Sequence, residues 1–483
     1  MDILIINPPV RLNDKPRHIP HGLAIISRLI KRHLNIVPTF LDINAYRYTE
    51  DEIKKILEAA DFDIVLIGGI ASTYGQIISL SNLIKRVNPD SKIIAGGYAV
   101  MCIPEVLLKN SEVDIVCTGE GEITVIELLK ALEKDLNTNL SGIKGICYKT
   151  NNRKEKIVCN PPRTLIDNLD EQSTLPDYEA VPMNIYLSNP TVGFGKDVDF
   201  ISSRGCPYRC TFCYQPWGHK PRFHSVDFIM DCIALLKKDY DIDFIAFQDD
   251  EFMANERRVY EFCKAKKAKF PDLLWSCTGR VNIVARNEDI IVVMKEAGCV
   301  SISYGFESGA QVMLNRMRKG ITVEQIEDVI SISRKHEMPV PASFIIGMPG
   351  ETERTCKETL DFCLKNNLNL DSLMFATPYQ GSEIFYFALK TGRIDKNRIH
   401  DFLLKLGDAR DFIINLTDAF SDEELIQKRK EMMEVASENY KNFITSEEIY
   451  TKTKNLFGPL LEKYSLDEGD LQHRAKHGSM STF

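Results

Sequence analysis

The segment Ser203-Arg204-Gly205-Cys206-Pro207-Tyr208-Arg209-Cys210-Thr211-Phe212-Cys213-Tyr214 places three cysteines within eight residues, spaced C-x3-C-x2-C. Thiolates this close on one loop can converge on a single inorganic centre, and soft sulfur donors suit iron-sulfur clusters or zinc. Three ligands are one short of what a closed four-iron, four-sulfur cluster takes. One iron would then keep an open position, as a catalytic zinc keeps one that a structural zinc fills. Three incidental buried cysteines are the plainer alternative, and their clustering on a glycine-bearing loop argues against it.

Other residues suited to binding follow other strand-like segments. Phe247-Gln248-Asp249-Asp250-Glu251-Phe252 ends one, and its acids could face a ligand or simply cap the next helix. Tyr304-Gly305-Phe306-Glu307-Ser308 ends another, where a carboxylate could accept from two neighbouring hydroxyls. Ile345-Ile346-Gly347-Met348-Pro349-Gly350-Glu351-Thr352 closes a third. Arg280, and Arg316 or Lys319, could meet an anion, and a solvated surface role is equally open to them. His219 and His224 follow the cysteine loop, where a histidine is more often incidental. The other ten cysteines show no second cluster spacing, and Cys232, Cys263, Cys356 and Cys363 fall in helical stretches, where packing is the better reading.

The elements that must position these residues show in the hydrophobic pattern. Over residues 1–135, short apolar runs (Ile3 to Ile6, Ile36 to Leu41, Ile64 to Ile67, Lys92 to Ala95, Ile115 to Cys117) alternate with amphipathic stretches, the pattern of βαβ units around a parallel sheet. Most runs end in turn formers, including Asn7-Pro8-Pro9, Gly68-Gly69, Gly96-Gly97 and Gly119-Glu120-Gly121-Glu122, and ligands of open α/β sheets sit at such carboxyl ends. No G-x-G-x-x-G follows the first run, so a dinucleotide is not favoured. Residues 136–194 read as a small hairpin, with a polar Asn151-Asn152 turn, and an extended linker. Residues 195–393 hold six strand-like runs (Val198 to Ser202, Asp243 to Gln248, Leu274 to Gly279, Ser301 to Glu307, Val340 to Gly347, Ser372 to Pro378) separated by helical stretches. This implies a parallel curved sheet, either a partial barrel or a full one with poorly marked strands, with function at the carboxyl strand ends. Residues 394–483 read as a charged helical region covering the barrel mouth, with a polar, frayed end from Asp467.

The 483 residues, 44% of them hydrophobic, are long enough for about three structural units and exclude collagen-like or wholly disordered chains. A net charge of -8 offers no global attraction to phosphate backbones, so nucleic acid is not an expected partner. Thirteen cysteines, an odd count without a secretory leader, argue against a disulfide framework and for a reducing, cytoplasmic setting. No apolar run approaches the roughly 20 residues of a membrane span.

With Phe212 as its aromatic, the C-x3-C-x-Φ-C motif after a first barrel strand resembles the hallmark of radical S-adenosylmethionine (SAM) enzymes. The resemblance implies a [4Fe-4S] cluster held by Cys206, Cys210 and Cys213, with the open iron chelating SAM and one-electron reduction giving a 5'-deoxyadenosyl radical. It further implies SAM contacts from Asp250 and Glu251 near the amino group, Glu307 and Ser308 at the ribose, Gly347 beside the adenine, and Arg280 at the carboxylate or substrate. The N-terminal phrases Asn7-Pro8-Pro9, His21-Gly22-Leu23-Ala24, Asp42, Gly96-Gly97, Pro104-Glu105 and Gly119-Glu120-Gly121-Glu122-Ile123-Thr124 resemble the branch of this family whose first domain is a Rossmann-like, cobalamin-binding-type domain. The implied corrinoid contacts are Pro8, Ser72, Thr73, Gly96, Gly97, Glu120 and Gly121. One departure matters: D-x-H-x-x-G does not occur and no histidine lies between Gly96 and Glu122, so a bound corrinoid must lack that histidine on its lower axial face, and the absence also permits a domain that keeps the fold without binding a corrinoid.

The fold implied is α/β: a Rossmann-like domain, a radical SAM partial (β/α)6 TIM barrel and a helical tail. The activity implied is cobalamin-dependent methyl transfer to an unactivated centre of a small molecule, lipid or peptide, with an electron donor such as flavodoxin or ferredoxin. A radical cyclase, rearrangement or oxidation enzyme, with or without cobalamin, is the second reading. A methylthiotransferase fits less well, because Cys102, Cys117 and Cys147 are not spaced for a second cluster. A non-enzymatic metal-binding module is the reading that predicts no dependence on SAM.

Overall fold

The computed structural model of the chain describes residues 1–150, 156–190 and 195–464. The expected Asn151-Asn152 turn and the polar end from Asp467 lie outside the described residues. Two compact units emerge: Met1–Tyr186 with Tyr379–Gly381 and Leu389–Asp408, and Leu187–Pro378 with Ser382–Ala388 and the chain from Ala409.

In the first unit, β1 (Ile3–Asn7), β2 (Thr39–Asp42), β3 (Ile64–Gly68), β4 (Lys92–Gly96) and β5 (Ile115–Cys117) run parallel in the order β2-β1-β3-β4-β5. Helices cover both faces, so β1 is buried along its whole length instead of alternating. Leu4, Ile6, Val65 and Ile67 enter one core, whereas Ile3, Ile5, Ile64 and Leu66 enter the other, as the two-residue strand period requires. The hairpin β6 (Ile146–Lys149) and β7 (Ile157–Cys159) extends this sheet antiparallel from β5. Pairing sets Cys147 opposite Cys159 with their Cα atoms 4.0 Å apart, and the two form a disulfide. This corrects the expectation that the thiols are left for packing, catalysis or metal: cross-strand pairing, invisible to a cysteine count, brings these two into bonding range, and the other eleven are free. The chain later returns to this unit. Leu403 and Leu406 join its core, Gln380 Nε2 donates to the Ala99 carbonyl at 3.0 Å, and the Tyr74 hydroxyl lies 3.0 Å from His400 Nδ1.

The second unit is built on β8 (Asp197–Phe200), β11 (Phe244–Phe247), β12 (Leu274–Gly279), β13 (Cys299–Glu307), β14 (Ala342–Ile346) and β15 (Leu373–Phe375), all parallel and in that spatial order, while β9 (Ser203–Arg204) and β10 (Arg222–Phe223) form a separate antiparallel ribbon. The six-stranded sheet curls but does not close: β8 and β15 are its edges, making a partial barrel. The helices between strands begin where short polar side chains satisfy their first amides. Ser225 accepts from Phe228 N, Asn255 from Arg258 N, and Thr322 and Thr352 form capping boxes.

From Ala409 the tail divides between the two ends of the barrel instead of lying wholly at its mouth, whereas Leu389–Asp408 belongs to the first unit. Leu425, in the helix Asp422–Phe443, stands against Gly347 at the carboxyl end of β14. The last helix, Ser446–Lys463, instead closes the opposite end. Phe457 and Leu460 pack on Phe244, Ala246, Leu274 and Val300, while Lys463 Nζ and the Tyr464 hydroxyl donate to Asp243 at 2.7 and 2.5 Å, just before β11. The apolar residues that an open barrel leaves bare at its foot supply the driving force. Among the described residues, no helix is long and apolar enough to cross a membrane.

Lys266, on the helix Glu256–Lys269, is 1% exposed, and its ammonium donates to the Pro271 carbonyl at 3.3 Å without any carboxylate in ion-pairing range among the described residues. Burial lowers its pKa to about 8. Because the unfolded chain then binds more protons between pH 8 and the ordinary lysine value, stability should rise with pH across that window. Lys266→Met should therefore stabilise the protein at pH 7 by about 1–3 kcal/mol, a gain that shrinks as the pH rises above 8. Thermal melts of both proteins at pH 7 and 9.5 check this.

Candidate functional site

The cysteine loop is tied at its base and from beneath. The ribbon β9–β10 pairs Ser203 with Phe223 and Arg204 with Arg222, closing the loop that carries Cys206, Cys210 and Cys213. At Gly205, φ is +88°, and a Cβ would approach the carbonyls of Trp217, Gly218 and Lys220 to 3.0–3.3 Å, so only glycine turns the chain here without strain. The acids that follow β11 hold the backbone below. The Asp249 carboxylate accepts from Ser202 N at 2.5 Å, Ser202 Oγ at 2.5 Å and Ser203 N at 3.1 Å, and that of Asp250 accepts from Gly205 N at 2.8 Å. Further along, Thr211 N donates to the Met317 carbonyl at 3.0 Å and Ile384 N to the Thr211 carbonyl at 3.1 Å.

All three cysteines line one cavity of about 450 Å³ at the carboxyl end of the barrel strands, together with Phe212, Asp250, Glu251, Arg280, Glu307 and Lys319. Cys206 and Cys210 are buried, whereas Cys213 opens onto the cavity, so solvent reaches it although protein surrounds it. Burial raises the thiol pKa of Cys206 to about 11 and that of Cys213 to about 12, so metal binding would have to release their protons. Among the described residues, no three His, Cys, Asp or Glu side chains close on a single-ion site. The three thiols share a cavity with room for a larger centre, and their sulfur chemistry and loop spacing fit a cluster with one open position.

Around the thiols stand buried charges, of which Glu307 and Lys319 form an ion pair. Glu251 is buried; its carboxylate accepts from Met253 N at 3.1 Å and caps the turn Phe252–Ala254, and burial raises its pKa to about 7. Helix-capping and facing the cavity, the two roles open to it from sequence, are thus both present in one side chain. The turn is fixed from behind by Phe252, which packs against Phe247 (ring centroids 4.6 Å apart) and Trp275 (5.5 Å), contacts worth about 0.5–1.5 kcal/mol each beyond area burial. Glu307 ends β13 with φ at +65°, a conformation that costs an L-residue roughly 1–3 kcal/mol. Its Oε1 accepts from Lys319 Nζ at 2.7 Å, and both are buried. Burial alone would lower the pKa of Lys319, and Glu307 more than offsets it, holding the ammonium above its ordinary value. A Cβ on Gly305 would lie 2.3 Å from Glu307 Oε1 and 2.8 Å from Lys319 Nζ, which is why no side chain is tolerated between them.

Several residues singled out from sequence lie off the cavity wall. Ser308 Oγ is 3.0 Å from Thr359 Oγ1 in the interior. Gly347 (φ +89°) donates its N–H to Glu351 at 2.5 Å, and burial raises the Glu351 carboxyl to about 7. The Arg316 guanidinium donates to the Gly350 carbonyl. His219 Nδ1 lies 3.0 Å from the Tyr208 carbonyl, and His224 stacks on Phe228. Sequence reasoning did not single out Tyr208, whose ring Arg280 covers at 3.5 Å, or Arg258, which holds the Ser202 carbonyl at 3.0 Å. A cation far along the chain gives no local signal of such a contact.

In the first unit, the strand ends present backbone. A Cβ on Gly119 would meet nothing within 4 Å and one on Gly96 only Cys117 at 3.7 Å, leaving open surface at the carboxyl ends of β4 and β5 of the kind a flat macrocycle requires. Gly97 (φ +83°) abuts the Gly69 carbonyl, where a Cβ would come to 2.7 Å. Pro8 is buried just after β1, and Ser72 is half-buried in the turn that follows β3. Thr73 is buried with its hydroxyl on the Ile70 carbonyl at 2.8 Å, Glu120 accepts from Ile166 N at 2.6 Å, and Gly121 opens the helix Gly121–Leu132 against Ile26.

Known proteins agree with this architecture. Residues 200–363 match the Radical SAM superfamily and residues 9–129 the B12 binding domain. An uncharacterized methyltransferase of Pyrococcus horikoshii is 33% identical over 396 residues, 80% of this chain and 83% of that one. An anaerobic magnesium-protoporphyrin IX monomethyl ester cyclase of Rubrivivax gelatinosus is 27% identical over 350 residues, 72% of this chain and 62% of that one. Among solved structures, the radical SAM methyltransferase TsrM of Kitasatospora setae, with cobalamin and a [4Fe-4S] cluster bound, superposes with a TM-score of 0.64 at 18% identity over 82% of this chain and 76% of that one. The two domains and the relative one-third identical to it define an enzyme class, and the chain belongs to the cobalamin-dependent radical SAM family. Its cofactors are accordingly a [4Fe-4S] cluster, SAM and cobalamin.

The Glu307–Lys319 pair should behave as a unit. Glu307→Gln leaves a buried ammonium uncompensated and should lower stability by about 3 kcal/mol, and adding Lys319→Met should recover most of that loss. Chemical denaturation of the single and double variants checks this; additive losses would contradict the pairing.

Proposed function

We propose that the chain transfers a methyl group to an unactivated centre of a small molecule, lipid or peptide, using radical cleavage of SAM and a corrinoid. The observation that carries this reading is the opening of Cys206, Cys210 and Cys213 onto one cavity lined also by Asp250, Glu251, Arg280, Glu307 and Lys319. When bound, the cluster supplies the electron that cleaves SAM to a 5'-deoxyadenosyl radical, and the corrinoid supplies methyl-transfer chemistry.

The chain's own residues bind, orient and exclude water. Cys206, Cys210 and Cys213 are the cluster ligands, and Phe212 shields them within the cavity. Asp250 keeps Gly205 in place, so the loop presents its thiols without depending on SAM. Glu251, on the cavity wall, would hold the amino group of SAM. Glu307, already oriented by Lys319, would offer a second oxygen to the ribose hydroxyls, and Ser308 would anchor the chain just after it through Thr359. Gly347 shapes the adenine side. In the first unit, the backbone at Pro8, Ser72, Gly96, Gly97 and Gly121 forms the corrinoid face, with Thr73 and Glu120 bracing it. The electron would come from a low-potential carrier of the flavodoxin or ferredoxin kind, and a reducing cytoplasm suits a chain with eleven free cysteines and a single disulfide among the described residues.

A radical cyclase is the second reading, favoured by the 27% identity to an anaerobic cyclase. Labelled methyl separates the two: a methyltransferase moves label from SAM to product, whereas a cyclase does not.

Anaerobically reconstituted protein given SAM and dithionite should release 5'-deoxyadenosine, and Cys206→Ala, Cys210→Ala or Cys213→Ala should each reduce that release at least a hundredfold. Product analysis by mass spectrometry checks this; release that persists in any of the three variants would remove that cysteine from the ligand set.

A further inference from the structure

Arg280 is a buried cation without a direct carboxylate contact among the described residues. It follows β12 at 5% exposure and makes no ion pair among the described residues. Its Nη1 donates to Cys210 Sγ at 3.8 Å, its Nη2 to the Lys319 carbonyl, and its Nε has no partner. Its guanidinium plane lies over the Tyr208 ring, 3.5 Å from the centroid, within the cysteine loop itself. A desolvated guanidinium needs an anion, and stacking on an aromatic ring holds it in one orientation. Lys319, the neighbouring cation, is neutralised by Glu307 at 2.7 Å, so Arg280 is the cavity cation without an ion pair among the described residues, and its charge acts on the buried Glu251 and on the cysteine sulfurs.

We infer that Arg280 is a positioning residue that tunes the reduction potential of the cluster by donating to the Cys210 sulfur. This rests on the reading that the three cysteines hold that cluster. Reduction adds one electron, taken from the external carrier, and changes no bond at Arg280. The added negative charge is stabilised by a fixed cation at the ligand sulfur, which raises the potential. Tyr208 and the Lys319 carbonyl hold the guanidinium at the sulfur, so the site is built before SAM arrives.

The test is a redox titration of the reconstituted full chain without SAM, followed by electron paramagnetic resonance, on wild type, Arg280→Gln and Arg280→Lys. At a fixed solution potential, Arg280→Gln should lower the ratio of reduced to oxidised cluster about tenfold, equivalent to about 59 mV for one electron. Arg280→Lys, which keeps the charge, should stay within about threefold of wild type. An unchanged ratio in Arg280→Gln overturns the inference, and if SAM affinity falls in that same variant, Arg280 reads the SAM carboxylate instead. Loss of the cluster from both variants while circular dichroism stays native also overturns it, in favour of a role in assembly. Wild-type protein that assembles no cluster would instead remove the underlying reading.

Discussion

A loop carrying three thiols can serve one open cluster only if its backbone is held so that the thiols share a single cavity and leave one side free. In this chain, two carboxylates impose that constraint. Asp249 takes the amides of Ser202 and Ser203 as well as the Ser202 hydroxyl, and Asp250 takes the amide of Gly205. Burial raises the pKa of both acids, and the hydrogen bonds they accept offset part of that cost. The carboxyl end of β11 therefore sets where the cysteine loop starts, and the aromatic group behind it, Phe247, Phe252, Phe262 and Trp275, sets where those acids stand. Packing in the barrel wall thus fixes the geometry of the sulfur site.

Charge balance is the second constraint. Three cysteines and four acids, Asp249, Asp250, Glu251 and Glu307, line one cavity with two cations, Arg280 and Lys319. Lys319 is committed to Glu307, an arrangement that holds Glu307 in its left-handed backbone conformation and needs the absent side chain of Gly305. Arg280 is committed to the loop through Tyr208 and Cys210. Each acid and base in the site thereby acts on its neighbours as much as on any ligand, and a binding role cannot be separated from a positioning one by residue type alone.

Local features were legible in the sequence. The C-x3-C-x2-C spacing, the six apolar runs of the barrel and the glycine pairs ending the N-terminal strands each lie within a few residues, and β12 (Leu274–Gly279) and β5 (Ile115–Cys117) fall where the apolar pattern puts them. Nonlocal features were not. The Cys147–Cys159 bridge depends on hairpin register, and the return of Leu403 and Leu406 to the first core depends on where the chain goes after the barrel. The final helix went to the foot of the barrel because Phe457 and Leu460 find apolar partners there, which a count of charged residues conceals. Ser308 and Thr73 were marked as ligand contacts by position, whereas their hydroxyls are turned to Thr359 and Ile70. A strand-end location says that a residue is near a site, and only packing says which way it points.

The central claim is that three cysteine ligands leave one iron of a four-iron cluster open to SAM. Mössbauer spectroscopy of protein reconstituted with isotopically enriched iron, recorded with and without SAM, tests it most directly. The account predicts that SAM changes the signal of one iron site and leaves the other three unaltered. A spectrum of four equivalent, fully ligated irons that SAM does not perturb would contradict it.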